Sequence, residues 1–246
     1  MGAASGFGPW PQTRSAHLVR RVQGEHPVRR PGRRLISGSG TEGTRRMIIA
    51  PIKGVFDPKG PLRARMTAER RAIAASGDAK TLARHAAGAF IRDIPMPDSA
   101  IVALYHPIRD ELDTEPLFDA LTEKGFDIAL PVTPKRKAPL MFRRFRTGDA
   151  LVEGRYGVMT PAEDAAEVTP HIVVAPLLGF TRAGDRLGYG GGYYDRTLAA
   201  RRAGGNVLAV GYGFARQELE RLPVAPNDEP MDWIVTERGA IRANGS

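Results

Sequence analysis

Two periodicities divide the chain. In PLRARMTAERRAIAASG, Leu62, Met66 and Ile73 recur at helical spacing, and Leu82, Ala86, Phe90 and Ile91 follow in the next segment. The spacing predicts one helix from Pro61, closed by Gly77, with Arg and Glu on its other faces. It predicts a second from Asp78 to Arg92, with Asp78 as N-cap. From Ser99 the pattern changes to short continuous apolar runs: 99–105, 126–130, 171–175, 207–212 and 232–236. Runs of this kind predict strands covered on both faces. Pro131 is expected to stop the second run, Pro176 ends the third, and 140–145 predicts a more exposed strand. Helices are expected over 115–124, capped by Asp113 or Thr114 and ended by Gly125, and from about Gly192 to Arg202.

Strands alternating with helices predict an α/β fold, three-layered, with a largely parallel central sheet. Ligands in such sheets sit beyond the carboxyl ends of the strands. The loops after Tyr105, Ala175 and Tyr212 are therefore where chemistry is expected.

Charge changes the picture only after it is divided along the chain. Of a net +9 over 246 residues, residues 1–46 hold nine Arg, no Lys and two Glu, leaving the remainder close to neutral. A nucleic-acid-binding fold carries its basic patch on the domain itself, so no nucleic-acid partner is expected. Residues 1–55, rich in Gly, Pro, Ser and Arg, read as a basic, disordered extension or as the product of a start misassigned upstream of Met47. A transit peptide ranks behind both, because prolines interrupt any long amphipathic helix. Residues 56–246 read as one α/β domain. No apolar run nears the roughly 18 residues of a membrane span, so no membrane partner is expected. The absence of cysteine excludes disulfides, thiolate zinc sites and cysteine nucleophiles, and the dispersed histidines support neither a metal site nor a catalytic triad.

The densest stretch is RLGYGGGYYDRTL, 186–198. Gly188, Gly190, Gly191 and Gly192 permit positive φ and close approach of backbone N–H groups, ahead of a helix whose positive dipole end favours anions. The spacing is neither G-x-G-x-x-G nor G-x-x-x-x-G-K-[ST]. A structural turn and a phosphate cradle both fit it. Arg186 adds a bidentate cation suited to phosphate, and Asp195 beside such a cradle asks for a cation between, with Mg²⁺ the natural one. Of Tyr193 and Tyr194, one is expected to pack inward and the other to stack on a planar ring. Within DELDT, Glu111 is left over once Asp113 or Thr114 caps the helix, and a carboxylate there suits an amino-pyrimidine edge. Lys59 and Arg63 at a helix N-terminus oppose the macrodipole unless an anion binds. Asp228 suits either a turn cap or a second metal oxygen.

In order along 59–238, KGPLR with MTAERR, DELDT, ALPV, YGVMTP, PLLGFTRAGDRLGYGGGYYDRTL and GYGFARQELERLPVAPNDEPMDWIVTE together resemble the 5-formyltetrahydrofolate cyclo-ligase (5,10-methenyltetrahydrofolate synthetase) family. The resemblance implies a fold of the NagB/RpiA/CoA-transferase type. It also implies ATP- and Mg²⁺-dependent closure of 5-formyltetrahydrofolate to 5,10-methenyltetrahydrofolate, with release of ADP and phosphate; the chain is expected to act on small molecules as a cytoplasmic monomer. By the same resemblance Lys59 and Arg63 are the basic pair at the ATP phosphates, with Lys59 and Arg186 carrying catalysis. Arg186, Leu187, Gly188, Tyr189, Gly190, Gly191, Gly192, Tyr193 and Tyr194 form the ATP loop. Asp195 and Asp228 are Mg²⁺ ligands, and Glu111, Tyr156 and Tyr193 contact the folate. Tyr156 stands where some members have Trp, and Asn227 precedes Asp228 where many have His.

Overall fold

The computed structural model describes residues 57–243 apart from Arg136 and Asn206; the expectations for residues 1–55 lie outside them. The two leading helices form as the periodicity predicts, α1 over Gly60–Ala75 and α2 over Ala79–Asp93. Asp78 stands at the N-cap of α2 but its side chain makes no cap bond. Its own φ/ψ are already helical, and only its carbonyl serves, accepting from Thr81 and Leu82.

Seven strands form the main sheet: β1 (Ile101–Ala103), β2 (Asp127–Val132), β3 (Met141–Arg144), β6 (Ile172–Pro176), β9 (Leu208–Tyr212), β10 (Trp233–Thr236) and β11 (Gly239–Arg242). Their spatial order is β11-β10-β9-β6-β1-β2-β3. The five inner strands run parallel, and β3 and β11 close the edges antiparallel. Helix α3 (Glu115–Glu123) connects β1 to β2, and α4 (Tyr193–Gly204) lies between β6 and β9.

These two crossovers step in opposite directions from the centre, so right-handed connections put their helices on opposite faces. The side chains agree. Ala103, Ala129, Val173, Ala175, Ala209 and Ile234 share one face of the sheet and pack with Leu198 of α4. Their alternates, Val102, Ile128, Ile172, Val174 and Val235, are buried on the other face, where α3 meets β2 and α2 crosses α3, β10 and β11. The three layers expected from the strand–helix alternation are therefore present.

Pro131 does not stop β2, which continues to Val132, with Pro131 opposite Phe142 of β3. Strand β1 ends at Ala103 and its last tie to β2 is Leu104 N–H to the Ala129 carbonyl. The next bond of that parallel ladder would run from the N–H of residue 131 to the Leu104 carbonyl, so Pro131 ends the pairing with β1 while β2 continues against β3. The region between β3 and β6 holds a small hairpin, β4 (Leu151–Glu153) with β5 (Met159–Pro161), turning through Arg155–Gly157. A second small hairpin pairs β7 (Gly179–Phe180) with β8 (Arg186–Leu187).

Candidate active site

The chain leaves β1 towards β2 and β6 towards β9, so the topological switch point lies between the carboxyl ends of β1 and β6. Loop 104–114 follows β1, loop 177–192 follows β6, and loop 213–232 follows β9. These three loops and α1 carry every candidate residue except Tyr156, which comes from the small hairpin, and Tyr193, Tyr194 and Asp195, which open α4.

The glycine loop is shaped by the arginines around it. A Cβ on Gly188 would meet Arg186 Nη1 at 2.8 Å. Gly190 has φ +91° and sits against the Arg63 guanidinium, whose Nε donates to the Gly188 carbonyl at 2.9 Å. Gly192, at φ +63°, caps α4 in the left-handed region that disfavours other residues. Leu187 is fully buried against Met66, Leu178, Leu219 and Leu222, so its side chain anchors the loop.

Two ion pairs flank this loop. Arg186, only 6% exposed, reaches both oxygens of Asp195 at 3.3 Å and donates to the Pro176 carbonyl at 3.2 Å, and its guanidinium carbon lies 5.3 Å from the Tyr194 ring centroid. Its Nε is buried with no acceptor in the protein. Lys59, the N-cap residue of α1, pairs through Nζ with Asp228. Asp228 also caps its turn, accepting from Ala225 N–H at 2.7 Å. Burial pushes the Asp228 carboxyl up, but the Ala225 N–H, Lys59 and Arg186 outweigh it and hold the group below the usual carboxylate range. Glu229 N–H contacts Asp195 Oδ1 at 3.5 Å, tying the neighbourhood of both carboxylates together. Behind them a cavity of about 510 Å³ is lined by Arg186, Asp228, Glu229, Leu222 and Trp233 among others.

No group of three or more His or acidic side chains that could hold a metal occurs among the described residues. The carboxylates beside the loop are those of Asp195 and Asp228, each paired with a basic side chain. Two carboxylates suit Mg²⁺, which is commonly held by one or two carboxylates with phosphate oxygens and water completing the octahedron.

Glu111 lies on the other side of the crevice, and its side chain is 4% exposed. Burial pushes its carboxyl up to about 7, against the opposing pull of the Ile108 N–H, which donates to Oε2 at 3.0 Å, and of Arg70 and Arg109. Tyr189 lies over this group, hydrogen-bonded through its hydroxyl to Arg70. The two consecutive tyrosines divide their tasks. Burial pushes the Tyr194 hydroxyl well up, beneath Arg186. Tyr193 meets Tyr156 at the rim, hydroxyl to hydroxyl at 3.2 Å with edge-on rings. Tyr156 is 72% exposed and left-handed at φ +61°, an unfavourable conformation for an aromatic residue.

The sequence reading missed Arg70 and assigned it to the polar side of α1. Position 70 is four residues after Met66 and three before Ile73, the other buried residues of that helix, so its place on the inner face was legible from spacing. Gln217, in the loop after β9, is structural: its side-chain oxygen accepts from the Phe214 N–H and its amide nitrogen donates to the carbonyls of Leu177 and Leu178.

A family model for 5-formyltetrahydrofolate cyclo-ligase matches residues 56–237. The chain belongs to that family. A 5-formyltetrahydrofolate cyclo-ligase from Escherichia coli K12 is 32% identical over 176 residues, 70% of this chain and 96% of that protein. One from Mycolicibacterium smegmatis is 33% identical over 154 residues, 58% of this chain and 76% of that protein. In structure, the 5,10-methenyltetrahydrofolate synthetase of Aquifex aeolicus superposes with a TM-score of 0.63 at 28% identity, covering 76% of this chain and 94% of that one. A Mycoplasma pneumoniae synthetase at 19% identity shares the fold, with a TM-score of 0.59. The α/β fold with its mostly parallel sheet is thus shared with these neighbours.

Proposed function

We propose that this chain closes 5-formyltetrahydrofolate to 5,10-methenyltetrahydrofolate at the expense of ATP, releasing ADP and phosphate. The observation that carries the reading is the convergence at one crevice of the Arg186–Asp195 and Lys59–Asp228 pairs, the glycine loop and buried Glu111. The formyl oxygen of an N-formyl amide is a poor leaving group. Attack of that oxygen on the γ-phosphorus expels ADP and leaves an N5-iminium phosphate. N10 then adds to the same carbon, loses its proton, and the C–O bond breaks with departure of phosphate.

No covalent bond to the protein is needed, so positioning and charge neutralisation supply most of the acceleration. Arg186 and Lys59 offset charge on the transferring group, Arg63 braces the glycine loop, and Glu111 accepts hydrogen bonds from the amino-pyrimidine edge. Tyr156 and Tyr193 flank the pterin at the rim. Asp195 and Asp228 would hold Mg²⁺, which neutralises phosphate charge when bound. The activity belongs to residues 56–246, acting as a cytoplasmic monomer, and deletion of residues 1–46 is expected to leave turnover unchanged. No helix among the described residues is long and apolar enough to cross a membrane. The test supplies 5-formyltetrahydrofolate, ATP and Mg²⁺ together and follows the absorbance of the methenyl product. No ATP-dependent product would overturn the reading.

A further inference from the structure

Arg70 is the largest fully buried side chain of the described residues, at 1% exposure, yet within MTAERR it has been given no part in the proposed chemistry. It projects from the inner face of α1 between Met66 and Ile73, where an apolar residue would be expected. Its Nη2 bonds the Tyr189 hydroxyl, its Nη1 lies 3.6 Å from Glu111 Oε1, and its guanidinium carbon is 5.5 Å from the Tyr189 ring centroid. Nε and Nη1 find no hydrogen-bond acceptor in the protein.

A buried arginine with two unsatisfied donors is a costly way to fill a core position, because apolar residues of similar volume stabilise as well or better. Architecture alone therefore does not account for it. Its surroundings do. Glu111 is enclosed by α1, the end of β1, the start of α4 and the glycine loop. It faces Arg70 from α1, Arg109 from its own loop, Tyr105 from the end of β1, Tyr189 from the glycine loop and Tyr194 from α4. Three of these five neighbours are tyrosines, which do not compensate a carboxylate charge near neutral pH. Arg109 leans over the outer side of Tyr189, its guanidinium carbon 5.9 Å from the ring centroid. Arg70 is the cation within ion-pair distance of the carboxylate.

We propose that Arg70 is a positioning residue: its guanidinium keeps the enclosed Glu111 carboxylate charged and, through the Tyr189 hydroxyl, fixes the glycine loop beside it. This inference rests on the reading of Glu111 as the folate carboxylate. It adds that substrate recognition on the β1 side and the loop on the β6 side are joined through one guanidinium on α1. The loose 3.6 Å separation has a use here. The guanidinium supplies charge without occupying the acceptor sites that Glu111 needs for a ligand.

Without Arg70, Glu111 would bind its proton more tightly, by about one pH unit or more for loss of a cation at this range. Four proteins test this: Arg70→Met, Arg70→Lys, Glu111→Gln, and the double variant Arg70→Met/Glu111→Gln, which removes both charges and so avoids a lone buried carboxylate. The first readout needs no substrate. A carboxyl whose folded pKa lies above its unfolded value costs stability progressively as pH rises from the unfolded pKa to the folded one. In the wild type that loss ends near pH 7, the value to which Glu111 is raised. In Arg70→Met the melting temperature should keep falling, relative to wild type, through about pH 8. The extra fall should vanish in the double variant and shrink in Arg70→Lys.

The second readout is kinetic. The acid limb of kcat/KM for 5-formyltetrahydrofolate should move up by about one pH unit in Arg70→Met, with KM for the folate raised more than KM for ATP, and Arg70→Lys should restore the limb. Melting profiles for Arg70→Met and wild type that run parallel in pH would overturn the inference, whatever the activity. A fall in kcat that simply tracks melting temperature, with the acid limb unmoved, would also overturn it by making Arg70 merely structural. A wild type that forms no methenyl product would sink the functional reading instead, while the melting cycle still decides the role of Arg70.

Discussion

Replacing Arg186 by Met separates charge stabilisation from folding, and the structure says how large each effect should be. The Arg186 side chain is 6% exposed and its partner Asp195 19%, so this is a largely buried pair. Removing one member of a buried pair costs about 3–5 kcal/mol, most of it the penalty on the charge left behind. Because Asp195 keeps some access to water, a loss of about 3 kcal/mol is expected, near the lower end of that range. For a domain of this size that lowers the melting temperature by roughly 6–12 °C. The simple substitution is therefore no silent probe of catalysis, and assays must run well below the variant's transition. Under those conditions kcat at saturating ATP should fall by about a hundredfold or more, the usual cost of losing one preorganised charge donor. Adding Asp195→Asn should recover part of the melting temperature, because the stranded carboxylate is gone, and none of the turnover. A single variant that melts early but turns over within about threefold of wild type would refute the assignment.

Asp228→Asn should raise the Mg²⁺ concentration needed for half-maximal activity by about tenfold or more, read by titrating the metal at fixed ATP; an unchanged requirement would remove Asp228 from the metal site. Gly190→Ala forces a side chain into φ +91° against the Arg63 guanidinium, so about 1–2 kcal/mol of stability should be lost and KM for ATP should rise, both checked on one preparation by thermal melt and initial rates. Tyr156→Gly relieves a left-handed aromatic at φ +61°, so its melting temperature should hold or rise while KM for the folate increases. A drop in melting temperature with unchanged KM would reverse the role given to that residue.

Apart from edge strand β11 (Gly239–Arg242), which was not expected, the strands of the main sheet and the helices were legible because each is covered by neighbours whose demand is the same everywhere: apolar residues at the period of the element. What the period could not reveal was pairing. Short β7 and β8 have two residues each, too few to show alternation, and the β4–β5 hairpin is half solvent-facing. Pro131 misled for a related reason. Its absent N–H ends the ladder only on the β1 side, and whether another strand pairs along the opposite edge is a fact of register. Within the site, Lys59, Arg63, Glu111, Arg186 and Asp195 could be picked out as charges that invite a ligand, whereas Asp228 also suited the turn cap that it forms with the Ala225 N–H. Their partnership could not, since Lys59 and Asp228 are 169 residues apart. Arg70 was passed over because charge was taken to mean surface, although its spacing to Met66 and Ile73 said otherwise.

That partnership gives the metal requirement of the proposed reaction a physical basis in this chain. Lys59 and Arg186, the two cations assigned to the transferring phosphate, each already hold a carboxylate assigned to Mg²⁺. An anionic nucleotide approaching alone would compete with Asp228 and Asp195 for the same guanidinium and ammonium, and would leave those carboxylates facing its own charge. With a divalent cation between them, the carboxylates gain a partner as the basic side chains turn to phosphate, and the net charge of the crevice changes less. On the proposed reading, the ion pairs are a resting arrangement that neutralises the site until the more highly charged complex binds. Nucleotide affinity should accordingly depend on Mg²⁺ more steeply in the wild type than in Asp195→Asn/Asp228→Asn, whose cations are free to take phosphate directly; equal dependence, by calorimetry with and without the metal, would contradict this account.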